Sequence, residues 1–348
     1  MTSLLRPGHR QVLPHRSLNA LGGPDWKGFE RSRQPFASTP AGTIAMNDDK
    51  RGLAHTPERA AALMRASLAG LSVGDAFGDQ FFLHANRHLT AADLPAPPWE
   101  WSDDTEMACS VVTCLHRLGR IDQDTLATSF ATRMNTGRRY GAGAFGLLER
   151  IRDGHPWRVA SVESFGGNGS FGNGAAMRVA PLGAYYSGDP ARAAAEATRQ
   201  AEITHTHTEG IAGAIAVAVA ASLAATGTAE NMIEAALDHV PGTYVRRGLR
   251  RARRLRKATP EQAAQILGNG SRITAQDTVP FALWAAARHL DDYPAGVRAC
   301  VTVGGDMDTT AAIVGGIIAA NTGIGGIPPE WLDSREPLPG WLEDGPAA

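Results

Sequence analysis

Two acid-bearing stretches carry the chemistry of this chain. Trp101-Ser102-Asp103-Asp104-Thr105-Glu106-Met107-Ala108 sets a hydroxyl and two adjacent carboxylates before an apolar, helix-like run from Ala108 to Leu118. Much later, Gly304-Gly305-Asp306-Met307-Asp308-Thr309-Thr310-Ala311 repeats the arrangement before a second helical run. Taken singly, each reads as helix capping: Asp103 as N-cap with Glu106 three places on, and Asp306 as N-cap of an Asx-type turn. Taken together, they hold more carboxylate than capping uses. Carboxylates with hydroxyls, and no adjacent Cys or His, suit hard cations such as Mg²⁺, Mn²⁺ or Ca²⁺ rather than zinc. An EF-hand is excluded at the second stretch, because Ile317 stands where the bidentate Glu belongs and Ala311 where the turn glycine belongs. The expectation is that two carboxylate-bearing helix starts meet and hold divalent cations over a polar substrate.

Three other stretches bear on the same question. Gly166-Gly167-Asn168-Gly169-Ser170-Phe171-Gly172-Asn173-Gly174 contains a literal G-x-G-x-x-G at 167–172, but no strand pattern precedes it, and Asp189 lies before Pro190 in a turn. It also misses the nucleophile elbow. What remains is a loop rich in backbone N–H groups that can surround phosphates or ribose oxygens, with Ala175-Ala176-Met177-Arg178 reading as a short helix start aimed back at it. Thr204-His205-Thr206-His207-Thr208-Glu209-Gly210 precedes a helix almost free of charge. It reads as a polar cap, and beside a nucleotide site one of its histidines can bind phosphate. The basic run Arg246 to Lys257 is interleaved with Val245, Leu249, Ala252 and Leu255, which describes an amphipathic helix with a solvated basic face better than a nucleic-acid site.

The elements that must position these residues are helices. Thr56-Pro57-Glu58 marks a helix start, with a hydroxyl N-cap, Pro at N1 and an acid in the first turn. The helix that follows carries Ala66, Gly70, Gly74 and Gly78 at four-residue spacing, a stripe that lets another backbone come close. Gly74-Asp75-Ala76-Phe77-Gly78-Asp79 closes it. Further apolar periods cover 126–134, 144–152, 191–203, 211–225, 232–240, 260–267, 279–290, 296–301 and 309–320. Alternating strands are nearly absent; 159–162 and 203–206 are too short to assign. The fold class expected is all-α, one compact multi-helix domain over about 55–340, with residues 1–54 a disordered extension and 341–348 a tail; the Pro-, Gly- and acid-rich stretch from Asp333 lies on the surface. The chain has 348 residues, a net charge of −1 and three cysteines. Near-neutrality gives no overall pull towards nucleic acid or an anionic membrane. No apolar run reaches the roughly 18 residues of a span. Cys109, Cys114 and Cys300 read as buried free thiols, which points to a reducing, cytoplasmic setting.

In order and spacing, Gly70-Leu71-Ser72-Val73-Gly74-Asp75-Ala76-Phe77-Gly78, Trp101 to Thr105, Gly172 to Arg178, Thr204-His205 and Gly304 to Thr309 make the chain resemble the ADP-ribosylglycohydrolase family, over about 60–332. The resemblance implies an all-α fold with two divalent cations, Mg²⁺ or Mn²⁺, held by Ser102, Asp103, Asp104, Asp306, Asp308 and Thr309. Ser102 stands where the family commonly has Thr, and keeps the hydroxyl. It implies that Gly172, Asn173, Gly174 and Met177 hold the ribose and diphosphate, with His205 near the diphosphate, and that Tyr140-Gly141 form a substrate loop. Two departures stand out. The stretch Asn135 to Arg139 lacks the acid many relatives carry before the Tyr-Gly loop, and Phe82 occupies the place of a glutamate used by others.

The implied function is hydrolysis of an N- or O-glycosidic bond at the anomeric carbon of ADP-ribose on a modified protein or small molecule, with Asp103, Asp104 or Asp306 as the catalytic acid or base. Two competing readings stay open. A catalytically weak ADP-ribose-binding regulator would bind ADP-ribose tightly without turnover, and a dinucleotide-dependent oxidoreductase would bind NAD. Membrane partners are not expected, and nucleic acid is disfavoured.

Overall fold

In the computed structural model, which describes residues 56–227 and 231–342, the first helix starts where its capping signals place it. The Thr56 hydroxyl accepts from the Arg59 amide and Pro57 is the first helical residue. Sixteen α-helices follow in order among the described residues. They are α1 (Pro57–Asp79), α2 (Asp103–Leu118), α3 (Gln123–Arg133), α4 (Ala142–Arg152), α5 (Trp157–Gly167), α6 (Gly174–Met177), α7 (Ala180–Tyr185) and α8 (Pro190–Glu202). Then come α9 (Thr208–Ala224), α10 (Met232–His239), α11 (Tyr244–Ala252), α12 (Pro260–Leu267), α13 (Ala275–Arg288), α14 (Tyr293–Val303), α15 (Met307–Thr322) and α16 (Pro329–Ser334). No strand occurs among the described residues, only isolated bridges at Trp99–Arg335 and Gly172–Thr274. The all-α class is therefore the one found. The stretch at 159–162 is helical, part of α5, which breaks at Ser164–Gly166. The expected extension at 1–54 and the tail beyond 342 lie outside the described residues.

α9 and α15 are apolar on nearly every side and buried along almost their whole length, as a helix in the middle of a bundle must be. α1 lies against α15 in the most extensive helix pairing of the fold. The small-residue stripe explains how. A methyl group added at Gly78 would fall 2.5 Å from the Met307 carbonyl oxygen, and additions at Gly70 and Gly74 would collide with the Gly315 and Ala311 carbonyls. Backbone therefore meets backbone, and two side chains lock the seam: Ser67 Oγ donates to the Gly316 carbonyl at 2.8 Å and Tyr293 Oη to the Gly70 carbonyl at 2.6 Å. Glycine costs a helix about 1 kcal/mol per residue against alanine, and the dispersion contacts of two close-packed helices offset that.

The segment after α16 lies at the surface and is tied to the approach to α2. Trp99 N donates to the Ser334 carbonyl, Glu336 N donates to the Trp99 carbonyl, and Trp101 N and Arg138 both donate to the Glu336 carboxylate. Phe77 stacks on Trp331 at 4.3 Å and meets Trp99 edge-on at 5.4 Å. Full burial of such side chains stabilises by roughly 3 kcal/mol each, and here it fixes the strand-like approach to α2. The cysteines at 109, 114 and 300 are all free and buried. Among the described residues no helix is long and apolar enough to cross a membrane.

Candidate active site

The α1–α15 seam ends where α2 begins, and that junction brings the two acid stretches together. Asp75, immediately after Gly74 of the stripe on α1, is the organiser. Its Oδ2 accepts from Ser102 N at 2.9 Å, Thr105 N at 3.1 Å and the Thr105 hydroxyl at 2.5 Å, so it ties the first turn of α2 to α1. Its Oδ1 is buried with no hydrogen-bond partner, as is Asp104 Oδ2. Asp75, Asp104 and Asp306 are buried, whereas Asp103 and Asp308 are half-buried.

Capping differs from the sequence expectation. Ser102, not Asp103, is the N-cap of α2, its hydroxyl accepting from Asp104 N at 3.2 Å. Glu106 closes no capping box; its carboxylate accepts from Asn135 N at 2.9 Å and from the Tyr140 hydroxyl at 2.8 Å. The hydroxyl caps, and the acids are left free. At α15, Asp306 makes no side-chain cap. Its Oδ2 accepts instead from Asn173 Nδ2 at 2.6 Å, and the same amide donates to Thr278 at 3.0 Å. Gly304 and Gly305 turn the chain into α15 at φ +65 and +82, with Asp306 N donating to the Asn269 carbonyl. A residue other than glycine at 305 would strike Asn269.

These carboxylates act on one another's charge. Burial, then the charge of Asp308, raises Asp75 and Asp103; burial, then Asp75, raises Asp104; burial, then Asp306, raises Asp308. Burial pushes Asp306 up to about 6. Asp79, one turn beyond Asp75, is pushed up to about 8 by burial, although the Arg139 guanidinium 2.8 Å away pulls the other way.

The glycine loop lies on the Asp306 side. His205 is buried, and its ring faces Gly172 and Gly174. Arg178, wholly buried, donates to Thr204 Oγ1 at 2.9 Å, and the same hydroxyl is hydrogen-bonded to His205 Nδ1 at 2.7 Å, which fixes the ring with Nε2 towards the loop. Burial holds the ring neutral, down at about 3. Met177 is buried beside Gly174. Tyr140 is half-buried, its hydroxyl on Glu106 of α2, and Gly141 is exposed. His207 caps α9, accepting from Glu209 N at 3.0 Å, and Glu209 caps α11 by accepting from Tyr244 N and Val245 N.

The structure thus gathers Ser102, Asp103, Asp104, Asp306, Asp308 and Thr309 at two adjoining helix starts, with Asn173 bonded directly to that group. Sequence reasoning left out Asp75 as a member. The signal was present: Asp75 directly follows Gly74 of the close-packing stripe, which sets the carboxylate at the edge of a helix–helix seam. Among the described residues no three His, Cys, Asp or Glu side chains are already drawn into a metal cage. The donor set nonetheless suits a hard cation, being all oxygen, mutually repelling and holding two buried oxygens with nothing to bond.

A family model described as ADP-ribosylglycohydrolase matches residues 56–347. The ADP-ribosylhydrolase ARH3 of Homo sapiens is 28% identical over 330 residues, covering 80% of this chain and 90% of its own. The ADP-ribosylarginine hydrolase Tri1 of Pseudomonas putida is 26% identical over 293 residues, covering 80% of this chain and 75% of its own. Among solved structures, one titled ADP-ribosylglycohydrolase-related protein complex superposes with a TM-score of 0.57 at 25% identity, covering 80% of this chain and 93% of that one.

Proposed function

The chain belongs to the ADP-ribosylglycohydrolase family, and from that premise we propose that it removes ADP-ribose from a modified protein or small molecule by hydrolysing the glycosidic bond at the anomeric carbon. The observation that carries the reading is the pair of unbonded, buried oxygens, Asp75 Oδ1 and Asp104 Oδ2, where the starts of α2 and α15 meet. Ser102, Asp103, Asp104, Asp306, Asp308 and Thr309 would hold two divalent cations, Mg²⁺ or Mn²⁺. When bound, these supply a polarised water and grip ribose hydroxyls.

The chain's own residues do the rest. Asp103, half-buried, accepts the proton of the attacking water, and Asp104 or Asp306 is the alternative. The surrounding carboxylates favour the oxocarbenium-like charge that develops at the anomeric carbon. The loop Gly172-Asn173-Gly174 with Met177 cradles ribose and diphosphate, and the Nε2–H of His205 donates to a phosphate oxygen. Tyr140-Gly141 close the opposite side, held by Glu106. Three buried free thiols favour the cytoplasm as the place of work.

A panel of ADP-ribosylated substrates, with and without Mg²⁺ or Mn²⁺, tests the proposal: release of ADP-ribose with the ions and none in excess EDTA. Full activity in EDTA would remove the cations from the mechanism. Tight ADP-ribose binding with no turnover on any linkage would select a binding regulator, a reading favoured by the absence of an acid at Asn135 and Phe82.

Stability carries a second signature. Asp306 and Asp79 titrate higher in the folded chain than the ordinary carboxylate value of 3.8. The folded state therefore binds more protons, and their contribution to stability is greatest below about 4. It is lost as pH rises through about 6 for Asp306 and about 8 for Asp79. Cations that neutralise the cluster remove that loss. The gain in Tm on adding Mn²⁺ should therefore grow between about pH 5 and 8. A gain that is flat or shrinks over that range would contradict the assignment.

A further inference from the structure

One oxygen ties three parts of the chain together. Oε1 of Glu336 accepts from Trp101 N at 3.0 Å and from Arg138 Nη1. Trp101 immediately precedes Ser102, the N-cap of α2, and Arg138 ends the short turn Thr136–Arg138 that leads to Tyr140. Glu336 comes from the segment after α16, 235 positions from Trp101. That segment is held in register, with Trp99 N donating to the Ser334 carbonyl at 2.7 Å and Glu336 N to the Trp99 carbonyl at 2.9 Å. The Trp101 indole adds a bond to the Pro337 carbonyl at 3.3 Å. Arg138 closes the clamp: its Nη1 also donates to the Trp101 carbonyl at 3.0 Å, and its guanidinium stacks 3.3 Å over the Trp101 ring.

The two sides of this clamp differ in what else holds them. Asp75 secures the start of α2 from α1, its Oδ2 accepting from Ser102 N, Thr105 N and the Thr105 hydroxyl. The turn has no equal brace. Glu106 grips its flanks, at Asn135 N and the Tyr140 hydroxyl. In its middle, the Arg138 side chain bonds to Trp101 and Glu336 and to nothing else among the described residues. Removing the Glu336 carboxylate therefore leaves the start of α2 held by Asp75 and loosens the turn.

We propose that Glu336 is a positioning residue: through Arg138 it holds the Tyr140-Gly141 loop in its substrate-binding form against α2, so that the segment after α16 governs substrate affinity. The inference rests on the reading above of Tyr140-Gly141 as a substrate loop. A loop that keeps its binding form only about a tenth of the time lowers apparent affinity about tenfold and leaves the chemistry of bound substrate unchanged. Loss of Glu336 therefore acts on KM. It spares cation binding, because the carboxylates at the start of α2 stay fixed by Asp75.

The test uses the full chain with Glu336→Ala, Glu336→Gln, Glu336→Asp and Arg138→Gln. It reads kcat and KM on whichever ADP-ribosylated substrate of the panel the wild type cleaves best, and Mn²⁺ affinity by calorimetry. Ala should raise KM about tenfold, with kcat and Mn²⁺ affinity within about threefold of wild type. Gln keeps an Oε1 that can accept both bonds and should recover most of the loss, whereas Asp keeps the charge, falls a methylene short and should behave as Ala. Arg138→Gln should raise KM alike, and its combination with Glu336→Ala should be no worse than either, as two ends of one contact require. A KM within about twofold of wild type in both Glu336→Ala and Arg138→Gln, the scatter of independent sites, overturns the proposal. So does recovery by Asp and not by Gln, which marks bulk charge, and so does a loss of Mn²⁺ affinity that parallels the rise in KM, which marks damage to α2. Should Glu336→Ala fail to fold, Arg138→Gln decides by the same readings. Should the wild type cleave no substrate, the hydrolase reading falls and the calorimetric Kd for ADP-ribose takes the place of KM, an unchanged Kd in the variants overturning the positioning role. A wild type that binds no ADP-ribose overturns both.

Discussion

Asp104→Asn is expected to lower ADP-ribose release by about a thousandfold or more, the scale of losing a central electrostatic group, while making the ion-free protein more stable. The two effects have one cause. Asp104 is buried among Asp75, Asp103, Asp306 and Asp308, and burial with their charges raises it well above the ordinary carboxylate range. Its Oδ2 has no hydrogen-bond partner. Asparagine keeps the shape, removes one charge from a repelling group and brings an amide that neighbouring carboxylates can accept from. Relief of that kind is worth about 1–2 kcal/mol, a Tm rise of a few degrees for a chain of this size. The same change removes an anionic ligand, so the Tm gain on adding Mn²⁺ should shrink. Asp306→Asn should behave alike in activity. If Asp104→Asn keeps wild-type turnover, or keeps the full Mn²⁺-induced gain, Asp104 is only a structural acid.

Gly78→Ala is expected to damage both stability and turnover, although alanine is the better helix former. The added methyl would sit 2.5 Å from the Met307 carbonyl oxygen and 2.8 Å from Asp308 Cα. Neither atom is a side-chain end that can swing away, so α1 and α15 must separate. Overpacking of this kind costs about 1–3 kcal/mol, against a propensity gain of about 1. The displaced backbone belongs to Asp308 itself, and a misplacement of about 1 Å near the chemistry can cost a hundredfold in rate. Gly146→Ala, in α4, is the matched control, because nothing lies within 4 Å of its added methyl; it should stabilise slightly and leave kcat alone. Denaturant midpoints and kcat/KM for the two variants decide the matter. Equal behaviour at the two positions would mean that the seam does not set the site.

Much of this was legible in the sequence, for a physical reason. Hydroxyl–acid pairs before apolar runs mark helix starts, and acids beyond what capping uses had to do something else. The glycine stripe announced a close helix contact, and Asp75 beside that stripe held the clue to the fifth carboxylate. What the sequence did not reveal depended on partners remote along the chain. Glu106 looked like the end of a capping box until Asn135 and Tyr140 arrived to occupy it. The Ser102 hydroxyl took the cap that Asp103 was expected to make. Arg138 and Arg139 are the same residue type side by side, and only a positive φ sends one of them to Asp79. The segment 334–337 reads as surface from its polar composition, and what composition does not show is its pairing with the approach to α2, through backbone bonds to Trp99 and the Glu336 carboxylate on Trp101 N.

The seam between α1 and α15 also governs when the site can come into being. Its locking contacts join residues 249 and 223 positions apart, Ser67 to Gly316 and Gly70 to Tyr293. Pairings of that span carry a large loop-closure entropy, and they follow rather than precede the local helices. Asp75 of α1 and the first turn of α2 meet through bonds only 27 and 30 residues apart, whereas Asp306 and Asp308 join them only when α15 docks. The electrostatic cost of the cluster therefore falls on the final docking of one apolar helix, the step at which an available divalent ion would do most to speed completion.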